Sequence, residues 1–163
     1  METRVANIPD PNNYDDPDKL RNLMANALRL GREDLVLRCQ IRLAELSSQE
    51  FDDALEKEFW MAVNIAEEFK TAENGRTTRL SRTRQKYTRD GAKKCVEDLA
   101  IRPSITEGFQ ILADNGRVDL TFEAVLLRHA SQFDESAIAI AKAKLLDNGV
   151  DEMTIEGWLN GQG

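Results

Sequence analysis

Apolar residues along this chain recur at three- and four-residue intervals, the spacing that lines one face of an α-helix. Nowhere do they alternate strictly with polar residues between turn signals, as a half-buried strand would. The first stripe is Leu20, Leu23, Met24, Ala27 and Leu28. Asp16 can cap it, Pro17 suits the first helical position because the N–H it lacks would have no partner there, and Gly31 stops it. A second stripe, Leu35, Val36, Cys39, Leu43 and Leu46, follows the short join "LGRED", which predicts an antiparallel helical hairpin. Ser47 with Glu50 reads as a capping box, and beyond it Leu55, Phe59, Ala62, Val63, Ala66 and Phe69 predict the longest helix, ending before Asn74-Gly75.

After Gly75 the pattern changes. The stretch "RTTRLSRTRQKYTRD" offers only Leu80 and Tyr87, seven residues apart, as apolar anchors. If residues 79–89 are helical, Arg79, Arg82, Lys86 and Arg89 share one face, while Leu80, Thr83 and Tyr87 turn inward. Gly91 breaks this element and "AKKCVEDLAIR" makes a short helix before Pro103. "SITE" is a second capping box, opening "GFQILADNG". Phe122, Val125 and Leu126, then Ala137, Ile138, Ala141 and Leu145, mark two more helices, and Asp151 to Leu159 forms a last one around Ile155 and Trp158. The expected fold is therefore all-α, a helical bundle of about 7–9 helices. With 163 residues it can be one domain or two small lobes. Residues 1–15, with prolines, paired asparagines and aspartates but no apolar face, read as a flexible arm. Residues 16–74 hold the hairpin and the long helix, and 75–163 the remaining helices. No repeat of 20–50 residues can be aligned.

Charge alters this picture at one place. The formal net charge is −7, from 29 acids and 22 lysines and arginines, yet residues 74–94 carry Arg76, Arg79, Arg82, Arg84, Lys86, Arg89, Lys93 and Lys94 against a lone Asp90. That segment is +7 and the rest of the chain −14. A row of phosphates rewards such a cluster by counterion release, and arginine suits bidentate phosphate or guanine contacts because its guanidinium is a fixed fork. Thr77, Thr78, Ser81 and Thr83 add hydroxyls of the kind that position a protein on a nucleic-acid backbone. The candidate nucleic-acid-binding residues are Arg76, Thr78, Arg79, Ser81, Arg82, Arg84, Lys86, Arg89, Lys93 and Lys94. The competing reading is a solvated helix whose charges are offset by nearby acids, Glu67, Glu68 and Glu73 being adjacent. Glu45, Glu50, Glu56 and Glu58 read as a solvated acidic surface.

Other chemistry is sparse. Cys39 and Cys95 fit no metal-ligand spacing and read as reduced thiols within helices, Cys39 buried. A single histidine, His129, excludes zinc fingers and Ser-His-Asp sites, and its place near a helix C-terminus suggests a structural role. Glu68 and Lys70 form an E-x-K with Asp52 and Asp53 upstream, but Asp53 and Glu68 would lie more than about 20 Å apart along one helix, too far to share Mg²⁺. Trp60 reads as core and Trp158 as a docking anchor. The sequence thus names no catalytic residue, metal or cofactor and leans away from an enzyme. No apolar run is long enough to span a membrane and the N-terminus lacks the features of a signal or transit peptide, so a cytoplasmic protein is expected.

Neither Gly91 nor Gly116 completes the usual helix-turn-helix signature, because Tyr87 and Leu112, not small residues, stand four positions earlier. A divergent tri-helical DNA-binding-like module remains open, with 79–89 as reading helix and residues 75–78 as an arm. The strings "NGRTTRLSRTRQ", "TEGFQIL" and "FEAVLLRH" resemble uncharacterised bacterial helical DNA-binding regions associated with restriction-type nucleases. The resemblance covers about residues 20–147 and implies DNA as partner while bringing no catalytic residue. The leading expectation is a non-catalytic protein that binds nucleic acid, duplex DNA foremost, through 75–94, with a homodimer able to place two copies on one duplex. The alternative is an acidic interaction or inhibitor protein of a kind found in phages, engaging a basic partner or imitating DNA through "DDPD", "EFDDALEKE" and "DNGVDEM". A metal-dependent nuclease component is the third.

Overall fold

In a computed structural model of the chain, residues 9–161 are described, and among them are nine α-helices and no strand. The described residues divide into two compact units, with the boundary between Ser47 and Ser48. The apolar stripes group the long helix with the hairpin; the division instead falls before it.

The first unit is a hairpin of α1 (Pro17–Arg29) and α2 (Glu33–Ser48). Leu20 packs with Cys39 and Leu43, and further along Ala27 packs with Leu35 and Val36, so the helices run antiparallel as the stripes predict. Asp16 accepts from the Asp18 N–H at 2.9 Å and caps α1, with Pro17 at the first helical position. The described part of the expected arm, residues 9–15, departs from the expectation of a loose segment. Asp10 caps a 3₁₀ turn over Pro11–Asn13, Pro11 is buried, and Tyr14 packs on the Leu20–Leu43 cluster. Arg38 reaches Asp10 at 2.7 Å, and Arg42 donates to the Tyr14 carbonyl at 3.0 Å and to Asp15 at 2.8 Å. A periodicity test overlooks these contacts because they come from single residues. Residues 1–8 lie outside the described residues.

The second unit is built on α3 (Ala54–Asn74), with α4 (Ser81–Asp90), α5 (Ala92–Ala100), α6 (Glu107–Asp114), α7 (Phe122–Arg128), α8 (Glu135–Asp147) and α9 (Glu152–Leu159). Its core joins Phe59 and Val63 of α3, Cys95 and Val96 of α5, Val125 to Leu127 of α7, Leu145 of α8 and both Ile155 and Trp158 of α9. Burying each such side chain contributes roughly 1.5–3 kcal/mol. An aromatic series runs through it, Phe51 stacked on Trp60, and Phe59 stacked between Tyr87 and Phe122. Both cysteines are free and buried.

Two expected capping boxes fall elsewhere. Ser47 lies inside α2, its hydroxyl donating to the Leu43 carbonyl, and Asp53 is the residue that caps α3 by accepting from Glu56 N–H at 2.9 Å. At α6 the cap is Thr106, which accepts from Phe109 N–H at 3.1 Å, rather than Ser104. Gly75 ends α3 with φ 72°, the left-handed conformation that a glycine adopts without a Cβ clash. No helix of the described residues is long and apolar enough to cross a membrane.

Candidate nucleic-acid interface

The basic segment enters from the end of α3. Thr78 is tied down there: its N–H donates to Thr71 Oγ1 at 3.0 Å, its hydroxyl donates to the Arg76 carbonyl at 2.9 Å, and Asn74 donates to that hydroxyl at 2.9 Å. Leu80 follows in the N-cap position of α4 with no capping side chain, and its own N–H donates to Glu67 at 2.9 Å. The helix therefore starts at Ser81, two residues after Arg79, and buries none of its residues fully. Tyr87, half-buried, fastens its far end by stacking on Phe59 and donating its hydroxyl to Glu56.

The eight cations fall into two groups. Arg84 turns inward beside Leu80, Thr83 and Tyr87, against the expectation that it serves as a phosphate contact. It grips Glu67 through two hydrogen bonds, 2.6 and 2.7 Å, and lies 5.0 Å over the Trp60 ring. Glu67 is only 8 % exposed, so this carboxylate relies on that partner. Lys86 is also held, at 2.9 Å from Asp90 and 2.8 Å from Asp98, and Lys94 reaches the other oxygen of Asp98 at 3.1 Å. Hydrogen bonds to Lys86 keep both carboxyls below the usual carboxylate range, and the same bonds raise the Lys86 ammonium, Asp98 contributing first. Arg89 is exposed with a loose 3.5 Å approach to Asp90, and Lys93 extends over the Phe133 ring at 5.8 Å.

Arg76, Arg79 and Arg82, like Lys93, are free of acids among the described residues. All three arginines are exposed, and no carboxylate of those residues lies within ion-pair distance of them. Ser81, also exposed, sits between the last two. Arg79 and Arg82 open onto a pocket of about 550 Å³, which Arg102 also lines from the loop after α5. Thr83, Ser104 and Thr106 supply hydroxyls around it, and Ala62, Val63, Ala66, Phe109 and Leu112 give it apolar walls. Its acids are already engaged. Glu107 accepts from Lys70 at 2.6 Å, and Glu123, 2 % exposed, pairs with Lys144 at 2.6 Å, burial pushing its carboxyl up against the pull of that ammonium. Sequence reasoning does not single out Arg102, because an isolated arginine before a proline carries no pattern until the fold brings it opposite α4.

The other candidates resolve into structural roles. Lys70 of the E-x-K pairs with Glu107 and Asp53 is a helix cap. Among the described residues no group of three His, Cys, Asp or Glu could hold a metal ion. Glu58, expected as solvated surface, receives both Arg128 Nε at 2.7 Å and His129 Nε2 at 2.6 Å, which pins the end of α7 to α3. Arg128 also lies 5.9 Å over the Trp158 ring. Burial raises the Cys95 thiol to about 11, leaving it a packing group. No described protein family, curated protein or solved structure matches the chain.

Proposed function

We propose that this protein binds nucleic acid, duplex DNA foremost, through an edge formed by Arg76, Arg79 and Arg82 and extended by Arg89, Lys93 and Lys94. One observation carries the reading: in a chain of net charge −7, the cations of Arg76, Arg79 and Arg82 have no acidic partner among the described residues. Elsewhere acids engage Arg32, Arg38, Arg42, Arg117, Arg128 and Lys142, and other cations without an acid among the described residues, such as Lys19, Lys57, Lys93 and Arg102, are not clustered in sequence as these three are. Like charges left together oppose folding, and a row of phosphates would neutralise them. Arg84, Lys86 and Thr78 act behind this edge, fixing α4 and the loop before it. The likeness of "NGRTTRLSRTRQ" to helical regions associated with restriction-type nucleases favours DNA over RNA as the target. The binding is non-catalytic, and a symmetric dimer would set two such edges on one duplex.

A gel-shift titration with duplex DNA, single-stranded DNA and RNA tests this. The full chain is expected to retard duplex DNA, and Arg76→Ala, Arg79→Ala and Arg82→Ala together to weaken the complex about tenfold or more on every sequence. Absence of a complex with any nucleic acid at moderate salt contradicts the proposal. The acidic-interaction reading would then lead, and reversing Asp52 and Glu50 to lysine would be the next experiment.

A further inference from the structure

The pocket beside the basic edge has a composition that phosphate binding alone does not require. Three arginines, Arg79, Arg82 and Arg102, line it with no carboxylate partner among the described residues, while its two acids, Glu107 and Glu123, are both neutralised by lysines. Lys86, which also lines it, is held by Asp90 and Asp98. Positive charge is therefore available at the pocket and negative charge is not. Beside that charge are apolar surfaces, Leu80 half-buried and Ile105 exposed among them. A free phosphate ion would gain nothing from these, and an apolar ligand would gain nothing from three guanidinium groups. A volume of about 550 Å³ is of the size that holds a small organic ligand and is too small for a base pair with its two backbones.

We infer that this pocket takes one nucleoside 5′-phosphate unit, unstacked from its neighbours, with the phosphate on Arg79, Arg82 and Arg102 and the base against Leu80 and Ile105. The inference rests on the proposed nucleic-acid binding and adds that the preferred target has an unpaired nucleotide, at a 5′ overhang, beside the duplex. Unpaired bases give up the least stacking when they enter a protein pocket, so such a target costs less than an intact duplex. Apolar contact with a base tolerates any sequence, which makes the recognition structural. The same chemistry would accept a free mononucleotide, and the test separates the two sources.

Fluorescence anisotropy with a flush-ended DNA hairpin and with the same hairpin carrying a short 5′-phosphorylated overhang is the first arm. The second is an NMR titration of the labelled full chain with deoxyadenosine monophosphate and with deoxyadenosine. The overhang is expected to bind about tenfold tighter than the flush hairpin. Arg102→Ala and, separately, Ile105→Glu should bring that ratio to about one; neither side chain belongs to the buried core, so neither change disturbs it. The monophosphate should move amide signals of Leu80, Ile105 and Gly108, and deoxyadenosine should not. Equal affinity for the two hairpins, or a preference that survives both variants, overturns the inference and leaves the duplex-binding proposal standing. Shifts with the monophosphate but no complex with either hairpin would assign the pocket to a free nucleotide and overturn both the strand-bound target and the proposed function.

Discussion

Arg82 and Arg84 stand two residues apart in one helix, and their surroundings give them opposite work. Arg84 meets a carboxylate that water barely reaches, whereas Arg82 faces the pocket mouth with no acid beside it among the described residues. Sequence shows both as members of one basic run, since linear spacing cannot say that Glu67, seventeen residues upstream, lies beneath the helix. The division predicts separable effects. Arg84→Ala should lower the unfolding free energy by about 2–4 kcal/mol in urea titrations, because it strands a buried carboxylate, while Arg82→Ala should stay within about 0.5 kcal/mol of the parent. Titration behaviour follows from the neighbouring clamp. Asp98 is held below its ordinary 3.8 by Lys86, so its contribution is present above that value and is lost as pH falls through the lower folded value. Lys86 is raised above its ordinary 10.5, so its contribution is complete below that value and is lost as pH rises through the folded one. Lys86→Met should therefore flatten the fall in thermal midpoint below about pH 4, with little change in the slope at about pH 6–8.

Elements were legible where one face is apolar. The stripes of α1, α2 and α3, and the glycines that follow α1 and α3, place these helices within a few residues of where they stand. The element with the weakest stripe, α4, adds polar contacts to the stacking of Tyr87: a Leu80 N–H to Glu67, an arginine fork and a tyrosine hydroxyl. Only the Leu80 and Tyr87 anchors could be read in advance. Caps were displaced because several Ser, Thr and Asp residues compete near each helix start, and the chain's entry angle selects among them. The docking of residues 9–15 is invisible in the sequence for a related reason, since one buried proline and one tyrosine make no period. Deleting residues 1–15 is accordingly expected to lower the thermal midpoint by more than about 4 °C, as the Pro11 and Tyr14 packing and the Arg42 bonds go with it. A scanning-calorimetry trace unchanged by the deletion would show that this packing contributes nothing.

At the scale of the whole molecule, the all-helical class was legible and the division between the two units was not. A stripe shows which face of α3 is apolar but not which partners cover it, and those partners are α5, α6 and α7, all later in the chain. The second unit draws its core entirely from residues 51–159 and carries the whole basic edge. A fragment of residues 48–163 should therefore fold and hold duplex DNA within about threefold of the full chain, as measured by anisotropy at matched salt. The site itself was legible as charge and illegible as geometry. The run from Arg76 to Lys94 announced a basic surface, but the sorting of its cations and the arrival of Arg102 required the fold. Whether the unpartnered arginines engage phosphates is read from the salt dependence of duplex binding. For the full chain log K should fall linearly with log salt concentration, and in the Arg76→Ala, Arg79→Ala, Arg82→Ala variant the slope should shrink by about 0.9 for each phosphate no longer neutralised, about 2.7 in all. An affinity that ignores salt, or a slope that the three substitutions leave unchanged, would contradict that engagement.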